Sequence, residues 1–271
     1  MKRLIFGIFA VVLFLGIAGS AQAVDSPFVI DNVPNVVGVG VAMVPDYLGS
    51  DNYQGAAAPF FRWTFAGQER YLQFMVTELS LNLVNRPDFA LGPVLNIRFG
   101  RNDDVEDDRV KEMEEIDDTL EVGAFASYIW RDQKNPRHRF IASVEALFDV
   151  GDVHNGGVGL ANLRYWYPVN KPIDVLIGVG TTFGSSSYMD TYFGVDTKDA
   201  RKSDLDEFTA GKGFRDWNAT TAMVFHFSET WHLGVGVKYF MLVDDAANSP
   251  IVEDQGSTDQ WVAGFGLAYA W

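Results

Sequence analysis

The sequence predicts an all-β fold: a transmembrane, antiparallel, up-and-down β-barrel of outer-membrane type with about 12 strands, 10 remaining open. Three observations predict it. The chain opens with an export leader. It then repeats period-two runs in which one face is apolar and free of charge. It ends, at Gln260–Trp271, on a strand whose set Trp261, Ala263, Phe265, Leu267, Tyr269 and Trp271 alternates with Val262, Gly264, Gly266, Ala268 and Ala270. A period of two places successive side chains on opposite faces. A large apolar face with aromatics at both ends suits lipid, with a girdle at each interface.

The leader comes first. Lys2 and Arg3 precede the apolar run Leu4–Ile17, and Ala21-Gln22-Ala23 is a small-residue cleavage site. The run is shorter than the roughly 20 residues a spanning helix needs. Cleavage between Ala23 and Val24 is expected, making residues 1–23 a signal peptide and 24–271 a single barrel domain; an uncleaved anchor is the alternative. There is no cysteine, so neither a disulfide nor a thiol for lipid anchoring is available. Export leaves the periplasm, the exterior or the outer membrane of a Gram-negative type cell as destinations. The formal charge is −15, and −17 without Lys2 and Arg3, with 19 basic residues against 36 acidic. Nucleic acid is excluded as a partner on this ground, since its binding depends on basic residues neutralising phosphates.

Val24–Pro34 carries two prolines and reads as an irregular leader. Val36–Val44 alternates Val37, Val39, Val41 and Met43 with Gly38, Gly40 and Ala42. The loop Pro45–Asp51 is rich in turn residues. Ala56–Phe65 sets Phe61, Trp63 and Phe65 against Arg62 and Thr64, and Ala66-Gly67-Gln68 turns the chain. Tyr71–Val84 is strand-like with a break in pattern at Thr77-Glu78. After Asn85–Asp88, Phe89–Gly100 points Leu91, Leu95 and Ile97 outward and Asn96 and Arg98 inward. The acidic stretch Asn102–Asp118 follows. Leu120–Trp130, Phe140–Val150, Gly157–Pro168 and Ile173–Phe183 alternate in the same way, with Glu121, Glu145, Arg164 and Asp174 on the inner side. Gly184–Phe214 is the longest insertion, and Asp199–Phe208 has the composition of a short helix. Trp217–Phe227 and Trp231–Met241 carry His226, His232 and Lys238 inward, and Val243–Asp259 is a second acidic loop before the last strand.

The outer faces of these segments carry no Asp, Glu, Lys or Arg. An Arg or Lys there would cost roughly 2–4 kcal/mol at the bilayer midplane. A soluble sandwich would solvate its second face with many Lys and Thr, whereas here that face is small, glycine-rich and sparsely charged. The segments number eleven, and bacterial barrels use even numbers, so the break at Thr77-Glu78 is where one segment divides into two, giving about 12 strands. Inner charges of mixed sign tend to pair, because an unpaired buried charge is expensive. A narrow or filled lumen is therefore expected.

Several stretches, in order, carry a family likeness. Gly38–Asp51, with Pro45, Asp46, Tyr47, Gly49 and Ser50 in its loop, resembles the opening signature of the MipA/OmpV outer-membrane proteins. Gly92–Arg101, Ile116–Gly123, Tyr192–Val195 and Asp245–Val252 are similar to later motifs of the same family. The aromatic end, Tyr269 and Trp271, resembles the C-terminal assembly signal of outer-membrane proteins, with Trp where most carry Phe. The resemblance implies a barrel in contact with outer-membrane lipid and lipopolysaccharide. One branch of the family is described as a scaffold for a lytic murein transglycosylase and a penicillin-binding murein synthase. It supplies no catalytic residue, cofactor or metal site to carry over.

Chemistry beyond this is sparse. The acidic stretch could hold a divalent cation, but its spacing lacks the glycine and glutamate of an EF-hand loop, and a solvated loop is the preferred reading. His138, His154, His226 and His232 have no metal-ligand spacing. His226 and His232 near Ser228 would allow a hydrolase pair, with polar lumen residues as the preferred reading. Three functions stand: a non-enzymatic scaffold, a narrow channel or porin for small solutes, and an outer-membrane hydrolase.

Overall fold

The computed structural model describes residues 35–271. The expected export leader and its Ala23–Val24 junction lie outside the described residues. Twelve antiparallel strands form a closed barrel in which each pairs with its neighbour in sequence and the first pairs with the last. They are β1 (Asn35–Pro45), β2 (Tyr53–Thr64), β3 (Tyr71–Met75), β4 (Glu78–Asn82), β5 (Phe89–Arg98), β6 (Thr119–Arg131), β7 (Arg139–Asp149), β8 (Gly157–Asn170), β9 (Ile173–Gly184), β10 (Gly213–His226), β11 (Trp231–Leu242) and β12 (Asp259–Ala270). Closure runs from Val36 opposite Ala270 to Met43 opposite Ala263. A closed barrel leaves no sheet edge, which is the condition for strands to cross hydrocarbon.

The pattern break at Thr77-Glu78 is the turn between β3 and β4. It supplies the twelfth strand. Strand alternation follows the sequence: Val37, Val39, Val41 and Met43 are exposed outward, as are Trp261, Phe265, Leu267, Tyr269 and Trp271. One girdle includes Trp63, Trp130, Tyr167, Trp231 and Trp271, and the other includes Phe148, Phe183, Trp217 and Trp261. Trp63 and Trp271 meet edge to face at 6.3 Å across the closing seam. Indoles and phenols prefer such wet–apolar boundaries because one end of each ring is polar.

Inside, the lower half is packed with side chains. Phe60 lies against Val36 and Ala270, and Ile141, Trp166 and Leu176 form a second cluster. Gly38 permits the first of these, since a Cβ there would fall 2.2 Å from the Phe60 ring. The glycine-rich inner face is thus space made for larger neighbours.

The loops contain structure that the alternation could not foresee. The long insertion holds α1 (Ser186–Phe193) and α2 (Thr197–Ser203) rather than one helix over Asp199–Phe208. Ser185 caps α1, and Asp196 caps α2 by accepting from Lys198 and Asp199 N–H at 2.7 and 2.8 Å. Asp204, at φ +58°, ends α2, so the helix stops before Phe208. The last loop adds α3 (Asp244–Asn248) and α4 (Pro250–Glu253).

Candidate functional site

Residues 65–70, 83–88, 132–138, 171–172 and 227–230 make short turns at the barrel end that also holds Asn35 and Trp271. Most of the long connections lie at the other end. In barrels of this type the short turns face the periplasm and the long loops face outward.

The outer loops fold together into a plug over the mouth. Its core is one apolar cluster that includes Tyr47, Leu48, Val105, Val110, Met113, Tyr188, Met189, Phe193, Ala246, Ile251 and Val252. The acidic stretch is therefore not simply a solvated loop. Its carboxylates face outward while Val105, Val110 and Met113 anchor it in the core.

The family-like loop holds this plug together. Pro45 closes β1. The Asp46 carboxylate accepts from Glu106 N–H at 3.0 Å. Tyr47 is 1% exposed and donates its hydroxyl to the Ile251 carbonyl at 3.3 Å. Burial raises its phenol pKa, so it stays a neutral donor. Gly49 has φ +102°, and a Cβ on it would lie 2.3 Å from Val252 Cγ2. Ser50 is fully buried, and its carbonyl accepts from Gln260 Nε2 at 2.9 Å. Gln260 also accepts from Gly49 N–H at 3.3 Å, binding the first loop to the last strand.

A polar layer lies beneath the plug. Glu121 is fully buried and takes two bonds from Arg98, at 2.8 and 2.9 Å, one from Asn96 at 2.8 Å, and a contact with His154 Nε2 at 3.0 Å. Arg215 pairs with Asp216 and donates to the Tyr188 hydroxyl of α1 at 2.8 Å. The plug is thus tied to the wall by charge-assisted bonds in a dry setting, where they are strong. Glu121 and Arg98, read from sequence as inner charges, do pair. The partners His154, Arg215 and Asp216 were not identifiable as such, because the first lies in a turn and the other two at a strand bulge between Phe214 and Asp216.

Below this layer runs a cavity of about 220 Å³. Arg62, Arg98, Arg131, Arg139, Arg164, Arg215 and Lys238 line it, against the carboxylates Glu78 and Glu145. A chain with a net negative charge therefore has a basic interior. Arg62 stacks on the Tyr71 ring at 3.7 Å and Arg139 on Trp166 at 4.7 Å, which orders both guanidiniums.

At the periplasmic end His226 contacts His232 at 2.7 Å and Asp174 at 3.0 Å, and Asp174 also accepts from Arg137 at 2.7 Å. Ser228 instead accepts from Thr230 and Trp231 N–H in its own turn. The residues a hydrolase pair would require are present, but each is bonded elsewhere. Among the described residues no group of three or more His, Asp or Glu side chains could hold a metal ion. Tyr269 and Trp271 lie together in the periplasmic girdle, stacked at 6.2 Å.

The family model described as MltA-interacting protein MipA matches residues 37–271. The chain belongs to this family. Two relatives are each 29% identical over 120 residues: outer membrane protein Omp26La of Vibrio anguillarum and outer membrane protein OmpV of Vibrio cholerae. Those alignments cover 44% of this chain and 45% of each relative, so the chain spans about half the length of the relatives it matches. Among solved structures, an outer-membrane channel of Pseudomonas putida F1 superposes with a TM-score of 0.51 at 12% identity, covering 94% of this chain and 99% of that one. At that identity the likeness concerns the barrel fold. This MipA-family protein is a barrel of the outer membrane.

Proposed function

We propose that this MipA-family barrel is a non-enzymatic interaction protein of the cell envelope rather than a general diffusion pore. The observation that carries this reading is the covered mouth: an apolar plug, bonded to the wall where His154 meets Glu121 and Tyr188 meets Arg215, lies over a lumen already narrowed by side chains. The family description, an MltA-interacting protein, supports a murein transglycosylase as a partner. A penicillin-binding murein synthase is the second partner suggested by the family likeness. The contact surface would be the short-turn end, since that end faces the periplasm, where murein lies. Lipid and lipopolysaccharide would surround the outer wall. The engagement of Ser228 within its own turn supports the absence of hydrolase chemistry.

Affinity capture of the tagged barrel from envelope extracts tests this. A murein hydrolase or synthase should be among the specific partners, and their absence would remove the reading. The basic cavity favours a second reading, a narrow anion-preferring channel. Planar-bilayer recording separates the two: a large, stable conductance in the intact protein would favour the channel.

A further inference from the structure

We infer that the basic cavity opens sideways into the outer leaflet, between β2 and β5, and receives the head of a single-chain anionic amphiphile whose tail stays in the membrane. The opening comes from the short hairpin. β3 and β4 are five residues each, while β2 has 12 and β5 has 10. β3 pairs with β2 only from Phe60 to Thr64, and β4 pairs with β5 only at Val94–Asn96. At the level of Phe60 and Asn96 the two long strands are therefore three strand spacings apart, roughly 14 Å. Above that level, among the described residues, 55–59 of β2 have no strand partner on the side away from β1.

The height of this gap matters. Outward positions 55–61 of β2 lie between the girdle residue Trp63 and Tyr53, whose hydroxyl bonds Trp261 N–H in the opposite girdle. The gap is thus within the apolar band. Its rim is smooth, because Gly55, Ala56, Ala57 and Ala58 offer little bulk. The hairpin tip, Met75–Glu78, also lines the basic cavity, which brings the cations to the foot of the gap. Val76 turns that tip at φ +60°, a conformation that branched side chains rarely adopt, and such strain concentrates where a ligand is clamped.

The occupant follows from these features. Arg98 and Arg215 are taken by Glu121 and Asp216, and the remaining Arg62, Arg131, Arg139, Arg164 and Lys238 still outnumber Glu78 and Glu145, which selects an anionic head. A cavity of about 220 Å³ is smaller than the roughly 300–1,000 Å³ that accommodates a whole drug-sized ligand, so a head enters and the chain remains outside. With the mouth plugged, a lateral path is the direct route from the membrane to this space.

The test uses the full processed chain in phosphatidylcholine nanodiscs with a fatty acid bearing a mid-chain photoreactive diazirine. Adducts should concentrate at Ala57, Pro59 and Ile97, at least ten-fold above Ile177 and Met223 on the opposite wall. Even labelling around the wall would overturn the proposal. The matched fatty alcohol should label the rim at least ten-fold less, and equal labelling would overturn recognition of the head. Inorganic phosphate at the concentration of the fatty acid should not compete, and full competition would make the cavity a free-anion site without lateral entry. Ala58→Trp should abolish rim labelling. Arg62→Gln and Arg164→Gln, which change only side chains that face the cavity, should each reduce it several-fold, and unchanged labelling in both would overturn the proposal even if the tryptophan variant failed to fold.

Discussion

Gly49 and Tyr47 determine whether the plug seats. At Gly49 a side chain meets both an unfavourable backbone, at φ +102°, and Val252 at 2.3 Å. Gly49→Ala should therefore cost about 1–3 kcal/mol, read as a lower urea midpoint and faster protease nicking of the 243–258 loop. Tyr47→Phe loses one hydrogen bond, about 1 kcal/mol, while Tyr47→Ala also leaves a hole and should cost about 3 kcal/mol or more. Asp199 adds a pH dependence. Burial first, and then its neighbour Asp196, raise its pKa above the usual carboxylate range. The folded plug then holds that proton more tightly than the unfolded chain, so this contribution favours the plug at acid pH and is lost as pH rises through the raised pKa. Asp199→Asn keeps the acceptor for Glu114 N–H and should make the plug more protease-resistant at neutral pH, with little difference in acid. The Tyr47–Gly49 motif was readable as a motif. Its partners Ile251 and Gln260 were not, because more than 200 residues separate them in sequence.

At the scale of elements, β12 and the β3–β4 hairpin carry the consequences. Trp271 meets Trp63 and Tyr269 at the seam where the barrel closes. Trp271→Asp places a charge in the girdle and should lower the amount of heat-modifiable barrel in outer-membrane fractions. Normal amounts would show that the terminal aromatic is dispensable. In the hairpin, Val76 occupies the position of a tight turn where φ is positive, which glycine adopts without strain. Val76→Gly should raise thermal stability, by up to about 1–3 kcal/mol if the strain is fully relieved. The break at Thr77-Glu78 was legible because the period-two pattern slips there. The helices of the insertion were less so, because a helix of seven or eight residues carries too few turns to define a face, and its capping residues alone set its limits.

For the whole molecule, the plug and the barrel act as one body through His154 on Glu121 and Tyr188 on Arg215, with Arg98 holding Glu121 in place on the wall. Glu121→Gln leaves Arg98 buried without its counter-charge and should cost about 3–5 kcal/mol, seen as a lowered unfolding midpoint. Replacing residues 186–211 with a short Gly-Ser turn removes α1, α2 and the Tyr188 anchor. A barrel that still shows heat-modifiable migration should then conduct ions more readily than the intact protein.

The sequence by itself determined the barrel, its lipid-facing side and its family, and narrowed the strand count to 12 or 10, because each of these is written in local alternation and in short ordered motifs. The tertiary structure decided that the mouth is closed, that the interior is basic and that the wall is short between β2 and β5. Those properties depend on which distant loops share one apolar core and on how far each strand finds a partner, and neither is encoded in the period of any single segment.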